Sequence, residues 1–140
     1  MEIRTYRPED YSSVEKLYKD SSTYGGEFDE ARDTSERLDN LIIKKTEAIL
    51  VAEDVGKIVG TVTLFEDGRS AWLYRFAVSA DNEAEISKAL WVKAREVMKM
   101  LGHRQVRVYA PAHDNYFQTR YENIGFTKGG DYTAYWQDLE

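Results

Sequence analysis

The 140-residue chain contains no cysteine and only two histidines. Without cysteine the protein has neither a disulfide framework nor a thiolate zinc site. The two histidines, His103 and His113, are too few for a histidine-based metal centre unless several carboxylates converge on them. We therefore expect no bound metal.

The chain also lacks a long apolar run and a dense cluster of basic residues. No uninterrupted apolar stretch approaches the ~20 residues that cross a bilayer. The charged opening MEIRTYRPED has no apolar signal core. The formal net charge of −6 would repel a nucleic-acid backbone. These absences predict a cytoplasmic protein that binds neither a membrane nor nucleic acid.

What the sequence does contain is enough apolar material for one core. Hydrophobic residues make up 42% of the chain and aromatic residues 13%, a composition typical of a packed domain rather than a disordered segment. The sequence shows no repeat, linker or low-complexity tract. We expect residues 1–140 to form a single domain.

The stretch from Ala71 to Leu101 sets the predicted architecture. Its first part, AWLYRFAV, has the composition and length of a buried strand. In the second part, apolar residues at spacings of three and four predict a helix whose buried stripe consists of Ile86, Leu90, Ala94, Val97 and Leu101. The following RQVRVYA predicts a right-handed crossover into a parallel strand, and therefore an α/β protein. Function is expected where the strand ends and the helix begins, because helix N-termini bind anions.

The rest of the chain predicts the element order βααβββαβαββ. This order indicates one mixed central sheet of about seven strands with four helices. The remaining predicted elements are a strand over Glu2–Tyr6, a helix from Pro8, a loop over 21–32, a helix capped by Asp33 and Glu36, a hairpin of 48–52 with 58–65, a strand over 105–110, a helix over 114–123, a short segment over 125–127 and a strand over 132–138.

Four segments in this order resemble the GNAT acetyltransferase superfamily. VAEDVGKIVGTVTLF is similar to its second hairpin, and FAV is similar to the end of its pantetheine-binding strand. YENIGF resembles its Tyr-x-x-x-Gly-Phe signature, and IRTYRPEDYSSVEKLY resembles its opening strand and helix. The resemblance covers nearly the whole chain and implies a GNAT-like fold.

The resemblance implies transfer of an acetyl group from acetyl-CoA to a primary amine. It implies that the backbone groups of Phe76, Ala77 and Val78 carry the pantetheine arm of the cofactor. It also implies that Tyr121 is the general acid that protonates the departing thiolate. The alternative for Tyr121 is a helix tyrosine that packs on the core.

The helix that carries Tyr121 departs from the family at two cofactor-facing positions. Where the family has asparagine this chain has Asp114, with Asn115 as the substitute after a shift of one residue. Where the family has alanine this chain has Phe117, whose ring either occupies the pantetheine groove or turns inward as core.

The largest departure is in the loop that binds the pyrophosphate in that family. In place of Arg/Gln-x-x-Gly-x-Gly/Ala the chain has SADNEAEIS, without glycine or a basic residue. Asp81, Glu83 and Glu85 put three negative charges there, each opposing an anion by ~1 kcal/mol. Asn82 and Glu85 have the spacing of a capping box, so the same acids also fit a helix that simply stabilises its own first turn.

Charged residues elsewhere suggest further roles. The acidic run Glu27, Asp29, Glu30, Asp33 and Glu36, with the rings of Tyr24 and Phe28, suits a cationic amine, although a solvated acidic surface is the commoner explanation of such a run. Arg75 lies inside an apolar run and either pairs with an acid across the sheet or binds an anionic substrate group. Glu66 and Asp67 are candidate general bases by proximity in sequence alone.

Two functions therefore compete. The first is an acetyl-CoA-dependent N-acetyltransferase acting on a small-molecule or peptide amine, to which the sequence leans. The second is a degenerate, non-catalytic member of the fold that binds a ligand or protein through its cleft or acidic face. A homodimer is compatible with either function.

Overall fold

The computed structural model describes residues 1–21 and 27–140. Four helices, as predicted, pack on a four-stranded antiparallel sheet of order β1-β2-β3-β4. The elements are β1 (Glu2–Thr5), a 3₁₀ turn (Pro8–Asp10), α1 (Tyr11–Asp20), α2 (Ser35–Lys44), β2 (Ile49–Asp54), β3 (Lys57–Glu66), β4 (Ala71–Val78), α3 (Glu83–Met100) and α4 (Asn115–Asn123).

Helices cover both faces of the sheet, and alternate side chains of its central strands point into the two layers. On β2, Ile49 and Val51 pack with α1 and α2, whereas Leu50 and Ala52 pack with α3 and α4. Residues of both kinds are almost completely buried. The continuous apolar run in β2 therefore follows from a strand sandwiched between two helical layers.

The predicted hairpin is confirmed as β2 and β3. The two strands pair antiparallel and are joined at Val55 and Gly56. Both of these residues have positive φ, 47° at Val55 and 74° at Gly56. A two-residue turn of this kind matches the right-handed twist of the strands it connects.

The predicted stripe of α3 is buried, with one exception. Ile86, Leu90, Ala94 and Val97 lie in the core. Leu101 was wrongly predicted to join them and is 54% exposed, because α3 ends at Met100. No helix within the described ranges has both the length and the apolar character needed to span a membrane.

The close approach of α3 to β3 depends on Gly60. A Cβ atom at this position would lie 2.6 Å from Cγ2 of Ile86 and 3.0 Å from Cδ1 of Leu90. Both side chains are buried and have little room to move. The glycine is therefore needed for packing rather than for an unusual backbone angle.

We expect Gly60→Ala to lower the free energy of unfolding by about 1–3 kcal/mol, the usual cost of overpacking a core. Urea denaturation measures this difference. Gly129→Ala is the matched control, since a Cβ at Gly129 meets nothing within 4 Å. Equal stability of the two variants would show that α3 adjusts without cost.

The prediction of about seven strands is wrong for the described part of the chain. Residues 105–110 alternate like a strand, with Val106, Val108 and Ala110 packed against the core, but pair with β4 only through an isolated parallel bridge from Trp72 to Arg107. Residues 125–127 and 132–138 form no strand. Alternation supplies strand propensity, but a ladder also needs continuous pairing with a partner edge. Residues 105–110 have only the one bridge to β4, and residues 125–127 and 132–138 pair with no strand among the described residues.

Candidate functional site

β4 contains an irregularity near its carboxyl end, where the functional site was predicted. Thr63 pairs with Tyr74 and Thr61 pairs with Ala77, so Arg75 and Phe76 together oppose a single residue of β3. Arg75 has a φ of 48°, which is unusual for a residue other than glycine. This β-bulge bends the strand just before Phe76, Ala77 and Val78.

A buried ion pair holds the bulge in place. The Nη2 atom of Arg75 lies 3.0 Å from Oδ2 of Asp33, and its Nε donates to Oδ1 at 3.1 Å. Oδ2 of Asp33 also accepts the N–H of Asp29 at 2.8 Å. Of the two roles considered for Arg75, the structure shows the pairing with an acid.

The same pair corrects the predicted cap of α2. The side chain of Thr34, not Asp33, accepts the N–H of Arg37, at 3.3 Å. Asp33 is buried with Arg75 and faces neither the solvent nor the first turn of α2. One member of the predicted acidic run is therefore part of the internal framework.

Backbone pairing between β4 and the segment 105–110 ends before the bulge. Arg107 donates its N–H to the carbonyl of Ala71 and accepts the N–H of Leu73, both at 2.9 Å. The bridge remains isolated and does not continue toward Val78. The two segments thus pair only at the start of β4 and share no backbone hydrogen bond, among the described residues, toward its carboxyl end, where Phe76, Ala77 and Val78 are buried.

The N-terminus of α3 lies directly after that carboxyl end. Asn82 is the N-cap residue, but its φ is 58° and its side chain makes no capping hydrogen bond. The capping box predicted for Asn82 and Glu85 is therefore wrong. The left-handed backbone of Asn82 is incompatible with the extended conformation in which a cap side chain reaches the first turn.

Arg120 is a residue of this region that the sequence reasoning missed. Its Nε lies 2.9 Å from Oε1 of Glu83, which joins α4 to the first turn of α3. Its guanidinium also lies 4.0 Å from the ring centroid of Tyr116. The sequence pointed to Arg120 only indirectly. Three acidic residues at 81, 83 and 85 attract a basic side chain, but they do not show which one.

Asp114 and Asn115 lie at the start of α4. Oδ1 of Asp114 accepts the N–H of Phe117 at 2.9 Å, so this carboxylate caps its own helix. Asn115 is the first residue of α4 and is exposed. That either residue contacts a cofactor stays a prediction.

Tyr121 is buried and faces the same core cluster as Phe76 and Val78. Its ring centroid lies 5.6 Å from that of Phe117 and 5.9 Å from that of Phe126. Phe117 is only 7% exposed and turns inward as core, the second of the two roles considered for it. The site thus combines a buried phenol with a buried strand end.

Gly125 and Phe126, which follow the end of α4, turn the chain back against Tyr121. Gly125 has a φ of 106°, a conformation that glycine adopts without strain. The turn lets Phe126 donate its N–H to the carbonyl of Tyr121 at 3.0 Å. The ring of Phe126 then packs 4.5 Å from that of Trp91 and holds α4 against α3.

A cleft of about 640 Å³ lies between the end of α1 and the start of α4. Its lining includes Tyr18, Lys19, Glu27, Phe28, Asp114 and Phe117. The Nζ of Lys19 lies 4.6 Å from the ring centroid of Phe28. The cleft thus contains carboxylates and the ring of Phe28, on which the ammonium group of Lys19 packs. Tyr24 lies outside the described residues.

Glu66 and Asp67 are not general bases of this site. Glu66 pairs with Ala71, at the opposite end of β4 from Val78. Hydrogen bonds from Lys45 and His103 and from the N–H of Gly68 lower the pKa of Glu66 to about 2. Hydrogen bonds from the N–H of Ser70 and from Arg69 lower the pKa of Asp67 as well. Both carboxylates stabilise a turn and are too weakly basic for proton abstraction at neutral pH.

No protein-family model and no curated protein sequence matches this chain. Solved structures do match its fold. The PaiA N-acetyltransferase from Thermoplasma acidophilum, solved in complex with coenzyme A, is 23% identical, with a TM-score of 0.75 over 90% of this chain and 89% of the other.

Two further structures agree with the first. Ard1 from Thermoplasma volcanium is 21% identical, with a TM-score of 0.75 over 92% of this chain and 84% of the other. Glucosamine-6-phosphate N-acetyltransferase from Arabidopsis thaliana is 17% identical, with a TM-score of 0.70 over 98% of both chains. The chain therefore has the fold of the GNAT N-acetyltransferases, as the resemblance in its sequence predicted.

Proposed function

We propose that this protein is an N-acetyltransferase that moves an acetyl group from acetyl-CoA to the primary amine of a small molecule or peptide. The observation that carries the proposal is that β4 and the segment 105–110 pair only at the bridge between Trp72 and Arg107, with no backbone hydrogen bond between them farther along β4 among the described residues. The carboxyl end of β4, next to the first turn of α3, is therefore not paired with that segment. In α/β proteins this is where ligands bind.

We assign the pantetheine arm to the backbone groups of Phe76, Ala77 and Val78. The bulge at Arg75 supports this assignment, because the added residue changes the direction of the backbone just before those groups. Asp114 and Asn115 are assigned to the other side of the arm.

The phosphates require a different solution from the glycine-rich loop of the family. Arg120 supplies the positive charge that the loop 79–87 lacks, and it lies at the first turn of α3 through its contact with Glu83. The side chain of Asn82 does not cap that turn, which favours access of an anion to its N–H groups. We assign Arg120 to the phosphates of the cofactor.

In the reaction, the neutral acceptor amine would attack the thioester carbonyl, so that a C–N bond forms and the C–S bond breaks. The proton lost by the amine nitrogen would pass to solvent, from which the phenolate of Tyr121 is reprotonated after CoA leaves. Tyr121 is assigned to donate its phenolic proton to the departing thiolate. Its burial excludes water from that proton transfer. The cleft of about 640 Å³ is assigned to the acceptor, because Glu27 and the ring of Phe28 suit a cationic group.

One observation favours the non-catalytic alternative. The ion pair of Glu83 with Arg120 joins α3 to α4 across the entry to the phosphate region. If Arg120 remains paired with Glu83, it cannot bind the phosphates of CoA, and the protein would only bind a ligand or another protein at its surface. The two functions differ in whether CoA binds.

We expect isothermal calorimetry to detect binding of CoA and acetyl-CoA, and Glu83→Gln to tighten it by about tenfold. Removal of the carboxylate eliminates ~1 kcal/mol of repulsion and releases Arg120 for the phosphates. Arg120→Gln should weaken binding by a similar factor. The gain in Glu83→Gln should shrink as salt rises, because repulsion between partly exposed charges is screened by salt.

Glu85→Gln is the matched control for this experiment. It removes the same charge from the same turn of α3, but Glu85 is exposed, whereas Glu83 is the residue whose carboxylate lies 2.9 Å from Nε of Arg120. An equal gain in both variants would assign the effect to simple repulsion and remove Arg120 from the site. No heat of binding from any of the proteins would overturn the acetyltransferase proposal in favour of the non-catalytic alternative.

A further inference from the structure

Lys19, in the last turn of α1, places its ammonium group on the wall of the acceptor cleft. Its Nζ lies 4.6 Å from the ring centroid of Phe28, within the distance at which the face of an aromatic ring attracts a cation. Both residues line the cleft of about 640 Å³. One position in this cleft is therefore occupied by an ammonium group of the protein itself.

The contact between Lys19 and Phe28 is one that the lysine can give up. The side chain of Lys19 is 51% exposed, and its Nζ also lies 3.3 Å from Oε1 of Glu15, one turn earlier on α1. The hydroxyl of Tyr11 donates to the other oxygen of Glu15 at 3.0 Å, which holds that carboxylate in place. Away from the ring, the ammonium group keeps this ion pair and its position at the C-terminal end of the helix, where the dipole favours a cation. Displacement of Lys19 from Phe28 therefore costs little.

The charges around the cleft favour a second cation over an anion. Glu27 and Asp114 line the cleft, whereas Lys19 is the one basic residue in its described lining. Two carboxylates against one ammonium group give the lining a negative balance. A ligand that carries a positive charge is therefore favoured there over one that carries a carboxylate or a phosphate.

The two ends of the cleft differ in their distance from the proposed general acid. Asp114 and Phe117 line the cleft at the start of α4, and the ring centroid of Phe117 lies 5.6 Å from that of Tyr121. Lys19 and Phe28 line it at the end of α1. The reacting nitrogen of an acceptor is thus expected beside α4, and a second charged group of the same molecule beside the ring of Phe28.

We propose that Lys19 determines which acceptors this cleft takes, because it competes with a second cationic group of the acceptor for the ring of Phe28. The preferred acceptor is then a linear diamine. One nitrogen, unprotonated, reacts beside α4, and the other, protonated, displaces Nζ of Lys19 from the ring. The inference rests on the proposed acetyl transfer for the identity of the reaction, whereas the cation site itself is defined by binding and does not require acetyl-CoA.

Three acetamides that differ only in the group at their far end test the cation site by NMR titration without acetyl-CoA. N-acetylcadaverine carries an ammonium group, N-pentylacetamide a methyl group and 5-acetamidopentanoate a carboxylate. We expect the wild type to bind N-acetylcadaverine more tightly than 5-acetamidopentanoate. Lys19→Met should tighten N-acetylcadaverine about fivefold, the scale of a cation–π contact at a partly exposed ring, and leave N-pentylacetamide unchanged.

Lys16→Met is the matched control, since it removes the same charge from an exposed position of α1 that is outside the described lining of the cleft. Phe28→Leu identifies the ring as the shared partner, because leucine keeps an apolar side chain against the core. Lys19→Met should have no effect on binding when it is combined with Phe28→Leu. An equal gain for N-pentylacetamide, or an equal gain in Lys16→Met, would overturn the competition. Tighter binding of 5-acetamidopentanoate by the wild type, lost in Lys19→Met, would show that Lys19 binds an anionic group instead.

Turnover separates this inference from the proposed function. With cadaverine as acceptor, Lys19→Met should lower KM by the same factor of about five and leave kcat unchanged. If N-acetylcadaverine binds as expected but no variant releases CoA from acetyl-CoA, the proposed acetyl transfer is wrong and the cation site stands. If transfer proceeds but the far-end charge alters neither binding nor KM, the role of Lys19 is wrong and the transferase stands.

Discussion

Replacing Tyr121 with phenylalanine should slow acetyl transfer by roughly 10²-fold, the usual scale for loss of a general acid. The substitution removes only the hydroxyl group. The ring keeps its packing against Phe117 and Phe126, whose centroids lie 5.6 and 5.9 Å away. We therefore expect an intact fold and unchanged CoA affinity, with the effect on activity in the turnover number kcat.

The measurement is the release of CoA thiol in the presence of acetyl-CoA and a panel of primary amines. Because the protein has no cysteine, a thiol reagent reports only the product. Tyr116→Phe is the matched control, since Tyr116 lies on the same helix but is 73% exposed. Wild-type turnover in Tyr121→Phe would leave Tyr121 with a packing role only.

The parts of the fold that the sequence predicted are those encoded by local periodicity. Ile86, Leu90, Ala94 and Val97 recur with the period of a helix, and all four are buried. The hairpin of β2 and β3 was predictable because Val55-Gly56 is a short turn between two apolar runs. In such segments the residues that determine the structure are neighbours along the chain.

The C-terminal segment shows where local pattern is insufficient. Residues 132–138 have the composition of a strand, yet they pair with no described residue. Strand formation depends on an edge elsewhere, and that edge can belong to the same chain or to another. The sequence carries the propensity of the segment but not the identity of its partner.

Charged residues were the least predictable part of the candidate site. Glu83 was expected to repel an anion, but Arg120 lies 2.9 Å from it. Asp33 was assigned to a helix cap or to a solvated surface, but it is buried with Arg75. Both partners are distant in sequence, and nothing in a local window identifies them. The lone arginine within the run AWLYRFAV indicated either an acid that pairs with it or an anionic substrate group, without choosing between them.

We expect Asp33→Ala to cause the largest loss of stability, about 3–5 kcal/mol in the free energy of unfolding. The substitution leaves the guanidinium of Arg75 buried without a carboxylate partner. An unpaired buried charge destabilises the folded state far more than replacement of both charged groups by apolar ones. It also releases the bulge, whose φ of 48° at Arg75 is held by the two contacts to Asp33. A loss of this size is a large fraction of the stability of a domain.

Urea denaturation distinguishes this effect from an ordinary loss of charge. Glu96→Gln breaks the exposed pair with Lys93 on α3 and should change stability by less than about 0.5 kcal/mol. A double variant, Asp33→Leu with Arg75→Met, should recover much of the loss, since apolar groups of similar size avoid the buried charge. If Asp33→Ala is as stable as Glu96→Gln, water reaches Arg75 and the pair does not hold the bulge. If the double variant is no better than Asp33→Ala alone, the loss comes instead from the hydrogen bond between Asp33 and the N–H of Asp29.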